Sequence, residues 1–232
     1  MKLNADLGEG LLWGSKNIAH ILAPHIHLAN ISCNLHAGDE NHIRETIEIC
    51  LDNNVQIGAH PSYDDRKNFG RISHEISDSE VRELILRQWD WLNRLVREVG
   101  GEISHLKTHG ALYNDLSKNS RLANVVQETI TSIDKDLIHI CSPHVEGQNL
   151  MPEGFIDRLY KPNGHLAPRS EKGAVYKDIK DIIAQVNNLK IGYVHTSDGS
   201  KLSLNVETLC LHGDNPVLIQ YIDLIMETFN ED

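Results

Sequence analysis

The chain has 232 residues, of which 40% are hydrophobic and 24% are charged, and this size suits one large domain or two small ones. Its formal net charge of -11 argues against nucleic-acid binding and against a polybasic membrane surface. The four cysteines form no CxxC pair, so neither a disulfide framework nor a zinc knuckle is indicated. No apolar segment approaches the length of a membrane span, and we expect a cytoplasmic protein.

The hydrophobic pattern predicts strands and helices that alternate along the chain. Strands are predicted at 2–5, 27–35, 55–59, the first half of 103–114, 137–141, 154–160 and 208–211, while 145–152 has the composition of a loop. Apolar residues recur at helical spacing in the segments 43–51, 81–99, 122–133, 179–189 and 218–229. Ser77 and Glu80 form a capping box in front of the clearest of these helices.

Side chains that can perform chemistry stand at the carboxyl ends of the predicted strands: Asp6, His36, His60, Lys107, His109, Asp157 and His212. In a closed parallel barrel these ends share one face, where active sites lie. An open doubly wound sheet brings fewer strand ends together, at its switch point. We therefore predict an α/β fold with a single TIM-like (β/α) barrel of about seven strands, in which residues 1–232 form one domain.

The segment 107–110, Lys-Thr-His-Gly, has the strongest chemical signal in the chain. Lys107 and His109 are two residues apart, so on a strand they would point to the same face. Burying a lysine and a histidine together is costly without partners. We interpret both as residues that act on an anionic or carbonyl-bearing small molecule.

Two histidines and a carboxylate raise the question of a metal. Asp6, His36 and His60 would supply an Asp/His/His ligand set that suits zinc and similar ions, although their spacing matches no local zinc motif. Asp6 and Glu9 would instead form an acid/base pair or a magnesium site, or belong to a solvated turn. Asp39 has two interpretations, a site residue or the N-cap of the following helix. The sequence leaves the metal, and its identity, unknown.

Basic residues fall in loops that would overhang the barrel mouth. Asp157-Arg158 would bind a carboxylate or phosphate through the guanidinium group, or form a surface salt bridge. Arg66, Arg71 and Arg169 lie in glycine- and proline-bearing loops, and together they favour an anionic substrate. Asp214 precedes Asn-Pro and is most simply a helix cap. The chain contains no GxxxxGK[ST] motif for a nucleotide.

Eight short motifs in the same order resemble the LamB/YcsF family: NADLGE at 4–9, HAGD at 36–39, IGAHP at 57–61, NFGR at 68–71, HGALYN at 109–114, DR at 157–158, PRS at 168–170 and LHGD at 211–214. The resemblance covers nearly the whole chain. It implies a (β/α) barrel of the glycoside hydrolase/deacetylase type. It also implies ATP-dependent hydrolytic opening of 5-oxo-L-proline to L-glutamate, together with partner subunits B and C.

The residues and the resemblance together suggest two sets of site residues. The expected catalytic residues are Asp6, His36, His60, Lys107 and His109. The expected substrate-binding residues are Glu9, Asp39, Arg71, Asp157, Arg158, Arg169 and His212. In this hypothesis ATP is required. The binding of Mg²⁺ or another divalent ion and the formation of a homo-oligomer are both left open.

The sequence departs from the family pattern at three places. Asn34-Leu35 stands where the family usually has Gly-Phe before HAGD, Thr108 stands where it usually has proline, and the segment before Phe155 is shorter. Two alternative functions stay open at this point. One is a stand-alone, metal-dependent amide or N-acetyl hydrolase, and the other is a non-catalytic subunit that binds a small acid.

Overall fold

Seven parallel strands close into a barrel in the computed structural model, which describes residues 1–231. The strands are β1 (Lys2–Leu7), β2 (Leu28–Ser32), β3 (Gln56–His60), β4 (Ile103–Lys107), β5 (Ile138–Cys141), β6 (Leu150–Phe155) and β7 (Thr208–His212). They follow one another around the barrel in chain order, and β7 pairs with β1 to close it. The predicted closed barrel is therefore confirmed.

Helices surround the barrel. They are α1 (Ala19–Leu22), α2 (Glu40–Asp52), α3 (Asp78–Glu98), α4 (Gly110–Leu116), α5 (Ser120–Ile133), α6 (Ile179–Lys190), α7 (Pro216–Gln220) and α8 (Ile222–Asn230). Short hairpins join Leu12–Trp13 to Lys16–Asn17 and Tyr193–His195 to Lys201–Ser203. Within residues 1–231 no helix is long and apolar enough to cross a membrane.

Helix α3 follows directly from its sequence. Ser77 accepts a hydrogen bond from the Glu80 amide and the Glu80 carboxylate accepts one from the Ser77 amide, which completes the predicted capping box. Val81, Ile85 and Leu92 lie along its buried face. An N-cap contributes about 1 kcal/mol of stability, so the capping box defines where the helix begins. The apolar face determines how the helix packs.

The main hydrophobic core lies between the barrel and its helices, whereas the barrel interior is polar apart from a small apolar cluster of Leu28, Ile140 and Met151. On β1, Leu3, Ala5 and Leu7 belong to the core, and Asn4 and Asp6 alternate with them and are also buried. The polar side chains are hydrogen bonded to one another, as buried polar groups require. An interior of this kind holds charged groups in fixed positions below the barrel mouth.

Glycine makes room for one interior side chain. A Cβ atom on Gly58 of β3 would lie 2.1 Å from Nε2 of His105 on the neighbouring strand β4. The pairing of β3 with β4 shifts register between Ile57 and Gly58. His105 Nε2 lies 3.1 Å from Asn30 Oδ1. Gly58 is therefore needed for the imidazole to reach across the barrel.

One predicted strand is misplaced, and the strand predicted in the first half of 103–114 is confirmed. The sixth strand is Leu150–Phe155 rather than 154–160, so much of the segment interpreted as a loop is strand. It pairs in parallel with β5, and no helix connects the two strands. The sequence between them therefore lacks the helical hydrophobic periodicity that would have marked where β6 begins. The strand that leads into Lys-Thr-His-Gly ends at Lys107, and α4 begins at Gly110 with His109 as its N-cap.

Candidate active site

A cavity of about 420 Å³ opens at the carboxyl ends of the barrel strands. Asp6 of β1, His60 of β3, Lys107 of β4, Phe155 of β6 and His212 of β7 all line it. The cavity lies where the fold places active sites, because parallel strands deliver their terminal side chains to one face.

Lys107 forms a buried ion cluster at the base of this cavity. Its Nζ lies 2.9 Å from Asp6 Oδ1, 2.8 Å from Glu153 Oε1 and 3.3 Å from Cys210 Sγ. Burial acts to lower the pKa of Lys107, but Asp6, Cys210 and Glu153 outweigh it and raise the pKa well above the usual value. The ammonium group therefore keeps its charge. Removing one member of such a buried pair typically costs about 3–5 kcal/mol.

Three imidazoles and Glu9 form a second cluster beside the first. The rings of His36 and His109 are stacked with centroids 3.9 Å apart, and His60 meets both rings edge-on. Burial lowers the pKa of His36 and of His109 well below the usual value, so both rings are neutral at pH 7. Burial also raises the pKa of Glu9.

Asp6 links the two clusters. One of its carboxylate oxygens lies 2.9 Å from Lys107 Nζ, and the other lies 3.3 Å from His60 Nε2. Burial acts to raise the pKa of Asp6, but the nearby His60 and Lys107 outweigh it and hold the pKa well below its usual range. Asp6 is therefore an anion, and it can orient water or share a cation.

A His–Asp pair lies beside Asp6, because His212 of β7 is paired with Asp6 of β1. His212 Nδ1 donates to Asp157 Oδ1 at 2.7 Å, and Asn215 donates to Asp157 Oδ2 at 3.0 Å. Burial acts to raise the pKa of Asp157, but His212 and these hydrogen bonds outweigh it and leave the pKa lowered. The anion fixes the His212 tautomer with Nε2 unprotonated in the neutral ring, and His212 lines the cavity. This arrangement suits a general base.

Guanidinium groups lie around the cavity mouth. Arg71 and Arg169 both donate to Asp214 Oδ2, at 2.7 and 3.1 Å. Arg158 is buried, and it donates to the backbone oxygens of Ala167 and Ala174. Burial lowers the pKa of Arg158 to about 10. Two arginines that share one carboxylate leave a net positive charge at the mouth.

The structure brings most of the expected site residues together. Asp6, Glu9, His60, Arg71, Lys107, His109, Arg158, Arg169 and His212 line the cavity. His36 lies behind Glu9, and Asp157 lies behind His212.

The structure does not support two of the expected roles. Asp39 is exposed and lies outside the cavity lining; it is the N-cap of α2 and accepts a hydrogen bond from the His42 amide at 3.1 Å. Its capping role explains its position. Arg158 donates hydrogen bonds to the backbone oxygens of Ala167 and Ala174. It therefore stabilises the 159–175 loop rather than presenting a free guanidinium group to a ligand.

Sequence reasoning missed Glu153, Tyr113 and Asp214 as members of the site. Glu153 is fully buried against Lys107, but it falls in the strand whose position was predicted wrongly. Tyr113 and Asp214 line the cavity. Both residues lie in motifs that are recognisable in the sequence. The sequence did not show where α4 begins or that Asp214 contacts Arg71.

Comparison with known proteins gives one family. The model of the LamB/YcsF family matches residues 1–232. The chain belongs to the LamB/YcsF family. The A subunit of 5-oxoprolinase from Bacillus cereus is 37% identical over 98% of this chain and 94% of the relative. The A subunit of 5-oxoprolinase from Pyrococcus furiosus is 38% identical over 99% of this chain and 94% of the relative. The resemblance seen in the motifs is thus confirmed.

A solved structure agrees with the barrel. The crystal structure of a lactam utilization protein from Thermus thermophilus superposes with a TM-score of 0.86, at 27% identity, over 98% of this chain and 94% of that chain. One departure from the LamB/YcsF pattern is accommodated by the backbone. Asn34 has φ of 61°, a left-handed conformation that asparagine tolerates in place of glycine. Its carbonyl and side-chain oxygens both accept from Arg66.

Proposed function

We propose that this chain is the A subunit of an ATP-dependent 5-oxoprolinase, which opens 5-oxo-L-proline to L-glutamate together with partner subunits B and C. The names of its full-length relatives support the assignment to a 5-oxoprolinase complex. The observation that carries the proposal is the composition of the cavity. A histidine fixed by a buried aspartate faces a buried, charged lysine below a mouth with a net positive charge.

The substrate is a small lactam with one carboxylate, and the site offers a matching group for each part. Arg71 and Arg169 supply positive charge for the carboxylate. They replace Arg158, whose donors are used by its own loop. Lys107 lies deeper, where Asp6, Glu153 and Cys210 take its donors, and its charge holds the Asp6 carboxylate in place to orient water. His212 takes a proton from the attacking water.

An unstrained amide needs activation before water can open it. In the proposed reaction the lactam oxygen attacks the γ-phosphorus of ATP, and ADP leaves. Water then adds to the activated ring carbon and gives its proton to His212. The carbon–nitrogen bond breaks as the nitrogen receives a proton, and a second water releases phosphate. One ATP and two waters yield glutamate, ADP and phosphate, with Mg²⁺ accompanying the nucleotide.

The test is a reconstituted assay that contains this chain, the two partner subunits, ATP, Mg²⁺ and 5-oxo-L-proline. Glutamate release should require every component when each is omitted in turn. Lys107→Met and His212→Asn should each lower kcat by about 10²-fold or more, because each removes a charge-stabilising or proton-accepting group.

Matched controls are Lys135→Met and His195→Asn, which remove an exposed lysine and an exposed histidine. Both should retain wild-type rates. Glutamate release without ATP, or wild-type rates in Lys107→Met and His212→Asn, would refute the proposal.

A further inference from the structure

Two buried imidazoles face each other through ring nitrogens that carry no hydrogen when the rings are neutral. His60 Nδ1 lies 2.7 Å from the carbonyl oxygen of Lys107, and His109 Nε2 lies 2.9 Å from that of Phe69. A carbonyl oxygen only accepts hydrogen bonds, so each of these nitrogens is the protonated one of its ring. The remaining nitrogens, His60 Nε2 and His109 Nδ1, are 3.0 Å apart, and each presents a lone pair.

His36 presents a third lone pair by a similar argument. The Ser62 hydroxyl donates to the Tyr63 carbonyl at 2.9 Å, so its oxygen is free to accept from His36 Nδ1 at 3.0 Å. This leaves His36 Nε2 unprotonated, 3.3 Å from Glu9 Oε1.

Carboxylate oxygens complete a ring of electron-rich atoms. Glu9 Oε1 lies 3.5 Å from His109 Nδ1, and Asp6 Oδ2 lies 3.3 Å from His60 Nε2. Atoms that only accept hydrogen bonds repel each other at these distances in a buried site. The cluster therefore requires positive charge at its centre, which a proton or a metal ion can supply.

We propose that Glu9, His36, His60 and His109 bind one divalent metal ion of the zinc class. One donor atom from each of the four side chains lies within 4.8 Å of the other three. Donors about 2.0–2.1 Å from a tetrahedral zinc ion are about 3.3 Å apart. The separations of 3.0, 3.3 and 3.5 Å in the cluster bracket that value.

The surroundings of the cluster match a metal centre in two further ways. The hydrogen bonds from His60 to Lys107 and from His109 to Phe69 fix each ring with its free nitrogen inward, as metal-ligating histidines require. Three imidazoles favour zinc or a similar ion over Mg²⁺, which prefers oxygen ligands. The parallel stacking of His36 on His109 means that one of these rings tilts when the ion binds.

The ion would face the cavity, since Glu9, His60 and His109 line it. From there it can polarise a carbonyl oxygen or lower the pKa of a bound water. The proposed metal site does not depend on the proposed reaction, because it follows from the geometry of the donor atoms alone.

The experiment measures metal binding rather than turnover. The purified chain is stripped with a chelator, dialysed, and titrated with Zn²⁺ by calorimetry, and with Co²⁺ by visible absorption. We expect one ion per chain and a Co²⁺ spectrum of tetrahedral nitrogen and oxygen ligation. Glu9→Gln and the double variant His60→Asn/His109→Asn should weaken binding by about 100-fold or more.

Matched variants separate this site from adventitious binding. His144 and His165 also form an adjacent pair, with ring centroids 4.5 Å apart, so His144→Asn/His165→Asn removes two imidazoles outside the proposed ligand set. Cys210→Ser tests the neighbouring group of Asp6, Cys210 and His212, the other donor set in residues 1–231. Both should keep wild-type affinity.

The proposal is overturned if the stripped wild-type chain binds neither ion. It is also overturned if His144→Asn/His165→Asn or Cys210→Ser abolishes binding while Glu9→Gln leaves it unchanged. Circular dichroism and thermal melting establish that each variant is folded. A Glu9→Gln variant that is folded but binds as tightly as wild type contradicts the ligand set.

Discussion

At the scale of single residues, the site depends on which ring nitrogen carries a proton. Asp157 accepts a hydrogen bond from His212 Nδ1, and this leaves Nε2 of the neutral ring free to accept one. In the same way the Lys107 carbonyl accepts from His60 Nδ1. Sequence patterns identify these histidines but not their tautomers, because the tautomer depends on contacts between residues far apart in the chain.

The Asp157–His212 pair allows a sharp test. Asp157→Asn keeps the shape of the side chain, but its amide group can donate to His212 Nδ1. His212 would then carry its proton on Nε2 and could not accept one from water. We expect kcat in the reconstituted assay to fall by about 10²-fold or more, with KM for 5-oxo-L-proline little changed. A variant that raises KM at an unchanged kcat would make His212 a binding residue rather than a base.

At the scale of secondary structure elements, the same types of polar residue serve as helix N-caps and as site residues at strand ends. Asp39 stands in a motif beside His36, and its sequence context suits either role. The structure makes it the N-cap of α2, where its carboxylate satisfies the His42 amide. The prediction for Asp214 failed in the opposite sense: Asn215 caps α7, and Asp214 holds Arg71 and Arg169.

The capping role of Asp39 predicts a small loss of stability. Asp39→Ala should lower the free energy of unfolding by about 1 kcal/mol, because the His42 amide loses its acceptor. Asp39→Ser should recover most of this loss, since a serine hydroxyl also caps. Urea unfolding of the two variants and the wild type measures the difference. Equal stability of Asp39→Ala and wild type would show that the cap contributes nothing.

At the scale of the whole molecule, alternation of strands and helices was enough to predict the barrel and to place its active face. Seven polar residues at the predicted strand ends argued for closure, and the pairing of β7 with β1 confirms it. The polar barrel interior was not predicted. Asn4, Asn30 and Glu153 look like ordinary residues of short strands, and only closure brings them together with Lys107 across the barrel.

Buried histidines in and around the barrel couple global stability to pH. His139 of β5 is fully buried, and burial lowers its pKa to about 4. In the unfolded chain a histidine has a pKa of about 6.5, so below that pH the unfolded state binds a proton that the native state does not. The native state is therefore favoured less as pH falls from about 6.5 towards about 4, by about 1.4 kcal/mol per pH unit for this residue.

His139→Gln should make stability less dependent on pH. Between about pH 7.5 and pH 5 the wild type should lose about 2 kcal/mol more than this variant, whatever the cost of the substitution at neutral pH. Urea unfolding at the two pH values gives the difference directly. His20→Gln, which removes an exposed histidine, should lose as much as the wild type. If His139→Gln and the wild type lose the same free energy of unfolding, His139 is protonated in the folded protein at about pH 5. Its burial would then not prevent it from carrying a charge.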